Sequence, residues 1–233
     1  MLKIDQVCSC YGEAQVLNDV SMQVNEGEIV ALLGRNGMGK TSLVRTVMNL
    51  ANPLKSKGTI SLGGQSLAGL APYQVSRAGV GYVPQGRRLF SSLTVLEHLQ
   101  ILDKKTAGAW TVEKVFQNFP RLAERKSNRG NELSGGERQL LAIARALITG
   151  PKILLMDEPT EGLAPVTVEL VEGVLQTLKK EGLGVLLVEQ NLYSALAVAD
   201  RVYILETGIV VWSGTPEKLL AQPETLDRYL GIH

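Results

Sequence analysis

The run Gly34-Arg35-Asn36-Gly37-Met38-Gly39-Lys40-Thr41-Ser42 is the first stretch whose residue types could do chemistry. It fits G-x-x-x-x-G-K-[ST], where glycines let the backbone wrap closely enough to aim N–H groups at phosphate oxygens. Lys40 would bridge the terminal phosphates of a nucleotide, and the Thr41 hydroxyl would bind Mg²⁺. A second candidate is "ILLMDE", where four apolar residues read as a buried strand with Asp157 and Glu158 at its carboxyl end. Asp157 would hold Mg²⁺ through water, and Glu158 would polarise an attacking water. No N-K-x-D guanine reader occurs, so ATP is the expected nucleotide. A third stretch, "NRGNELSGGERQLLAIARAL" at residues 128–147, opens a helix with Ser134, Gly135, Gly136 and Glu137. Small residues at a helix N-terminus form an anion site. One nucleotide needs one cradle, so the second requires an explanation.

The elements that must position these residues alternate between short apolar runs and helical patterns. That alternation predicts an α/β core with a largely parallel sheet flanked by helices. "LKIDQV", "VSMQV" and "GTISLGG" read as mostly antiparallel strands beside it. "EIVALL" precedes the cradle as a strand and "TSLVRTVMNL" follows it as a helix. Buried strands are expected at "VGYVP", "KILLMDE" and "GVLLVEQ", and ligands gather at the carboxyl ends of such strands. From Thr94 to Lys126 no strand signal appears; "TVLEHLQIL" and "TVEKVFQNFPRL" read as helices separated by a glycine-containing break. After Pro165, Leu170, Val171, Val174, Leu175 and Leu178 keep helical spacing on one face, which predicts core packing. "RVYILETGIVVWSGT" reads as a hairpin, and "TPEKLLA" and "PETLDRYLG" as short helices with Pro in the first turn.

Composition limits the remaining possibilities. The chain has 233 residues, 45% apolar, with a formal net charge of +1. No basic excess points to a nucleic-acid partner. Apolar runs such as "IVALL" and "ILLM" are too short to span a bilayer, and "MLKIDQV" lacks a signal peptide's apolar block. Cys8 and Cys10 have no partner cluster, so reduced cytoplasmic thiols are expected and a zinc site or disulfide framework is not.

The cradle, "YVPQG", "LSGGE" and "ILLMDEP", in this order, resemble the ATP-binding cassette (ABC) family of transport ATPases. The likeness runs over essentially the whole chain, and "LSGGE" is highly specific to that family. It implies one nucleotide-binding domain over residues 1–233: a P-loop NTPase core with an N-terminal antiparallel β region at 1–85 and 148–233, and a helical subdomain at 86–147. It also implies a head-to-tail pair of cassettes, identical or sister. The signature residues Ser134, Gly135, Gly136 and Glu137 of one subunit then reach the γ-phosphate of ATP held by the other, which accounts for the second anion site. Tyr11 falls where an aromatic stacks on adenine. Gln85 matches the glutamine that senses Mg²⁺ and links the core to the helical insertion, which would dock a short helix of a membrane permease.

Two positions depart from the family pattern. Gln190 stands where a histidine usually contacts the γ-phosphate, and both His98 and His233 lie elsewhere. Gln190 can donate and accept hydrogen bonds but carries no proton, so it is expected to position water or phosphate without a histidine titration near neutral pH. Ala164 replaces an aspartate that usually communicates across the dimer. "VPQGRRLF", "DEPTEGLAP" and "LLVEQN" resemble the smaller ATPase subunit of branched-chain amino acid importers, with urea and amide importer ATPases similar. The resemblance implies a peripheral subunit on the cytoplasmic face of the membrane, served indirectly by an extracytoplasmic solute-binding protein. Export, or a soluble cassette acting on ribosomes or DNA, are the alternatives; the chain has neither Lys/Arg blocks nor long heptads to favour the latter.

Overall fold

In the computed structural model, which describes residues 1–102 and 110–231, two sheets organise the chain. β1 (Leu2–Tyr11) begins with period-two burial, Leu2 and Ile4 inward and Lys3 outward. It pairs antiparallel with β2 (Ala14–Val24) on one side and β4 (Leu54–Leu62) on the other. β5 (Gln65–Ser66) completes a four-stranded sheet in the order β2-β1-β4-β5.

The second sheet runs β10-β9-β3-β8-β7-β6. β3 (Ile29–Leu33), β6 (Val80–Val83), β7 (Ile153–Asp157), β8 (Gly184–Glu189) and β9 (Arg201–Glu206) are parallel. β10 (Ile209–Gly214) returns antiparallel to β9. Thr207 and Gly208 turn that hairpin with φ of 46° and 75°, the left-handed pair that matches strand twist. Every residue of β3, β7 and β8 is buried, as a parallel sheet covered on both faces requires.

Strand alternation sorts the core. Ile153 and Leu155 face the antiparallel sheet and Leu43, Val44 and Val47 of α1 (Lys40–Val47). Leu154 and Met156 face the opposite layer, with Leu141 and Leu147 of α6 (Gly135–Ile148) and Val171 and Leu175 of α7 (Pro165–Lys180). α6 also packs on Val95 and Leu99 of α3 (Val95–Gln100), Val115 of α4 (Val112–Asn118) and Leu122 of α5 (Pro120–Glu124). The inserted helices therefore share one continuous apolar cluster with the sheet. α9 (Pro216–Leu220) and α10 (Pro223–Leu230) close the chain, each with Pro at its start.

Several expectations need correction. "TVEKVFQNFPRL" is two helices, because Pro120 has no N–H to continue α4 and pushes Phe119 to φ −125°, ψ 71°. Leu170 is 48% exposed: it lies beside, not on, the stripe formed by Val171, Leu175 and Leu178. α2 (Pro72–Ala78) and α8 (Leu192–Leu196) were not expected from the pattern, being too short to show a periodic face. The glycine-containing break, at 103–109, and His233 lie outside the described residues.

Candidate nucleotide site

β3 delivers the chain into the glycine-rich turn, and α1 begins directly after it at Lys40. Gly39 caps α1 with φ 103°, and a Cβ there would stand 3.0 Å from the Val16 carbonyl oxygen. Only glycine meets both demands. Lys40 is 4% exposed. Its Nζ donates to the carbonyls of Gly34 at 2.6 Å and Arg35 at 3.1 Å, and lies 3.6 Å from Glu158 Oε1. A buried ammonium needs such partners; here they place it at the mouth of the turn. Met38 anchors the turn from outside, accepting at its carbonyl from Gly208 N–H and at its sulfur from Thr207 N–H.

At the end of β7, Thr41 Oγ1 donates to Asp157 Oδ1 at 3.1 Å. Asp157 Oδ2 is buried and has no hydrogen-bond partner. Burial pushes the Asp157 carboxyl up to about 6; the Thr41 bond opposes this, Glu158 adds to it and Lys40 opposes it. An orphaned carboxylate oxygen beside a hydroxyl is the hard, all-oxygen donor set that suits Mg²⁺. Glu158 adopts φ 49°, a conformation costly for a side-chain-bearing residue and characteristic of functional turns. Its N–H is held by the Val188 carbonyl at 2.9 Å. Gln85 Nε2 donates to Glu158 Oε2 at 2.9 Å and to Glu161 Oε2 at 2.8 Å.

Asn36, Gly37, Gly39, Lys40, Thr41 and Ser42, with Gln85, Glu158 and Glu161, line one cleft of about 330 Å³. Glu158 and Glu161 also line a neighbouring cleft of about 440 Å³ with the exposed Gln190. The two clefts thus meet at the acidic pair. Tyr11 ends β1 at 37% exposure, paired with Ala14, in the hairpin whose Val16 touches Gly39; it is not on either cleft wall. His98 lines neither cleft; it is buried on α3 with Nδ1 2.8 Å from the Thr94 carbonyl and Nε2 accepting from Phe90 N–H at 3.0 Å.

Ser134 caps α6: its Oγ accepts from Glu137 N–H at 3.2 Å, and Glu137 Oε2 accepts from Ser134 N–H at 2.8 Å. Glu137 is thereby turned into a capping box. Burial raises its pKa, but the bonds from Ser134 and the nearby Arg125, 3.4 Å away, outweigh this and leave it lowered. Ser134 is exposed, and neither it nor Gly135 nor Gly136 lines either cleft.

Three features escaped the sequence reading. Glu161 shares Gln85 with Glu158; its signal was the third acidic residue in "DEPTEGL". Arg87, at φ 51°, donates to the Glu161 carbonyl and lies 2.9 Å from where a Gly135 Cβ would be. It ties the turn after Gln85 to the loop after β7 and lies against the start of α6. Glu189, the one charge in "GVLLVE", is 2% exposed and hydrogen-bonded to Thr160.

The family described as ABC transporter matches residues 17–161. The chain is 44% identical over 234 residues to the high-affinity branched-chain amino acid transport ATP-binding protein BraG of Pseudomonas aeruginosa, covering 99% of this chain and 100% of that one. It is 35% identical over 237 residues to the lipopolysaccharide export system ATP-binding protein LptB of Haemophilus influenzae, covering 99% and 97%. It is similar in structure to a dimeric bacterial ABC transporter cassette, with a TM-score of 0.78 and 25% identity over 93% of this chain and 99% of that one. With a phosphate turn, an acidic strand end and a capped signature helix joined on one α/β core, the chain belongs to the ABC transporter family, as its ATP-binding and ATP-hydrolysing subunit.

Proposed function

We propose that this chain powers import of branched-chain amino acids through separate permease subunits, acting as one half of a head-to-tail pair of cassettes at the cytoplasmic face of the membrane. The observation that carries the reading is the separation of parts. Lys40, Thr41, Asp157 and Glu158 converge around one cleft, while Ser134, Gly135 and Gly136 lie off it. A second cassette that presents its own signature helix supplies the missing donors. Helix N-terminal N–H groups and Lys40 then grip the γ-phosphate from opposite sides, electrostatics that act most strongly with water excluded.

Thr41 and Asp157 are the residues that would hold Mg²⁺, with Gln85 on the same cleft. Bound there, the ion would supply charge neutralisation for the phosphates. Glu158 orients the attacking water, with its carboxylate set by Gln85 and Lys40. Tyr11 stacks on the adenine. Gln190 contacts the water or the γ-phosphate from the second cleft. The likeness to the importer ATPase supports amino acids as the cargo; an extracytoplasmic binding protein and the permeases select it.

A groove of about 270 Å³ adjoins Gln85 and supports permease docking. Met48, Pro84, Leu102 and Ala146 form its apolar floor, and Arg88 and Arg145 its basic rim. A short helix with an apolar face and an acidic end matches it. No described helix is long and apolar enough to cross a membrane, so transport needs such partners.

Reconstitution with the permeases and binding protein tests the reading. ATP-dependent leucine uptake into proteoliposomes is expected, and Glu158→Gln lowers it about 10²–10⁴-fold. Glu158→Gln turning over ATP at the wild-type rate, or leucine moving only outward, overturns it.

A further inference from the structure

Glu189 is a buried carboxylate for which the proposed hydrolysis provides no role. It ends β8, is 2% exposed, and forms none of the ion pairs found among the described residues. Its partners are hydrogen-bond donors from two different segments. Oε1 accepts from Thr160 N–H at 3.1 Å and from Thr160 Oγ1 at 2.8 Å. Oε2 accepts from Gln190 N–H at 3.3 Å, and the backbone N–H of Asn191 also bonds to the carboxylate. A buried charge is tolerated only when saturated in this way.

The two segments are those of the proposed reaction. Thr160 follows Glu158 by two residues, and Gln190 adjoins Glu189 itself. All four line the same cleft of about 440 Å³. Glu158 holds its left-handed backbone with a single backbone bond of its own to β8, from its N–H to Val188. The next tie between the two segments is the Glu189 carboxylate.

We propose that Glu189 is a positioning residue for ATP hydrolysis: its carboxylate clamps the Glu158–Thr160 turn to the Gln190–Asn191 loop, so that Glu158 and Gln190 keep a fixed separation across the γ-phosphate. The clamp joins two loops that leave the adjacent parallel strands β7 and β8. A displacement of the loop bearing Gln190 is therefore passed to Glu158. This deepens the proposed function and rests on the reading that Glu158 and Gln190 act at the γ-phosphate.

The test compares Glu189→Gln, Thr160→Val and their combination with wild type and with Glu158→Gln, in the intact cassette. Glu189→Gln keeps the size but sets an amide NH₂ against the N–H donors of one segment. Thr160→Val removes one donor and keeps the shape. For Glu189→Gln, kcat for ATP falls at least about tenfold while KM and the Kd for a fluorescent ATP analogue stay within about twofold, because the Lys40–Thr41 cradle is untouched. Thr160→Val moves the same way by a smaller factor. The double variant is no slower than Glu189→Gln alone, since both break one link. Should Glu189→Gln fail to fold, Thr160→Val carries the test by the same split of kcat from KM. Wild-type kcat in the foldable variants overturns the clamp, as does a loss of nucleotide affinity in step with kcat. If either occurs while Glu158→Gln is inactive, the clamp alone fails; an active Glu158→Gln removes the reading beneath it.

Discussion

Gln190 borders the cleft that Glu158 also lines, so an uncharged side chain able to donate and accept hydrogen bonds stands beside that carboxylate. A hydrogen bond to a charged oxygen contributes about 1.5–3 kcal/mol, so Gln190→Ala is expected to lower kcat about ten- to hundredfold, read by steady-state phosphate release. Unchanged turnover would show that Gln190 does not touch the reacting atoms. That Lys40, Thr41, Asp157 and Glu158 converge was legible, because a glycine-rich turn opening a helix and an acidic strand end both fall at the carboxyl edge of a parallel sheet. The left-handed backbone of Glu158 and the bond network of Glu189 were not, since neither alters a motif.

At the level of elements, α7 and α3 each carry a testable device. α7 is capped by Ala164, which has no side-chain acceptor; Pro165 has no N–H and Thr167 N–H already reaches the Ala164 carbonyl at 2.8 Å, so Val166 N–H is the donor a capping side chain would take. Ala164→Asp is expected to add about 1 kcal/mol and raise Tm by about 2–4 °C in a chain of this size. A calorimetric scan showing no gain would mean that Val166 N–H takes no bond from the new carboxylate. On α3, His98 accepts from Phe90 N–H and faces the Thr94 carbonyl, an arrangement that suits only the neutral ring. Burial depresses its pKa below the ordinary 6.5, as Arg145 does; the Thr94 bond and Glu97 act in the opposite direction. The folded state thus binds fewer protons than the unfolded state just below pH 6.5. Stability is full above that value and falls as pH drops toward the folded pKa. Between about pH 7.5 and about pH 5.5, wild type should lose more Tm than His98→Gln; equal losses would contradict this. Strand identities were readable here from alternation and apolar runs. The break at Pro120 was also written in the sequence, yet the flanking helical periodicity obscured it.

For the whole molecule, the decisive feature is that cradle and signature do not meet within one chain. Glu158→Gln with ATP should first show, by size exclusion, that the chain pairs with itself. Lys40→Ala and Ser134→Arg are then each expected to be inactive alone. Mixed, half the dimers combine the two and one of their two sites is intact, so about a quarter of the wild-type rate returns. No recovery in chains that pair would place each ATP within a single subunit. The sequence by itself determined the glycine-rich turn, the acidic strand end and the Ser134-capped helix, because backbone geometry and capping act over a few neighbouring residues. Only the tertiary structure decided which of these share a cleft. Asp157 is set against Thr41 and Glu158 against Gln85 by the order of parallel strands, and Glu189 reaches Thr160 across 29 residues of chain. Those pairings depend on how sheets and helices bury their faces together, which no local spacing encodes.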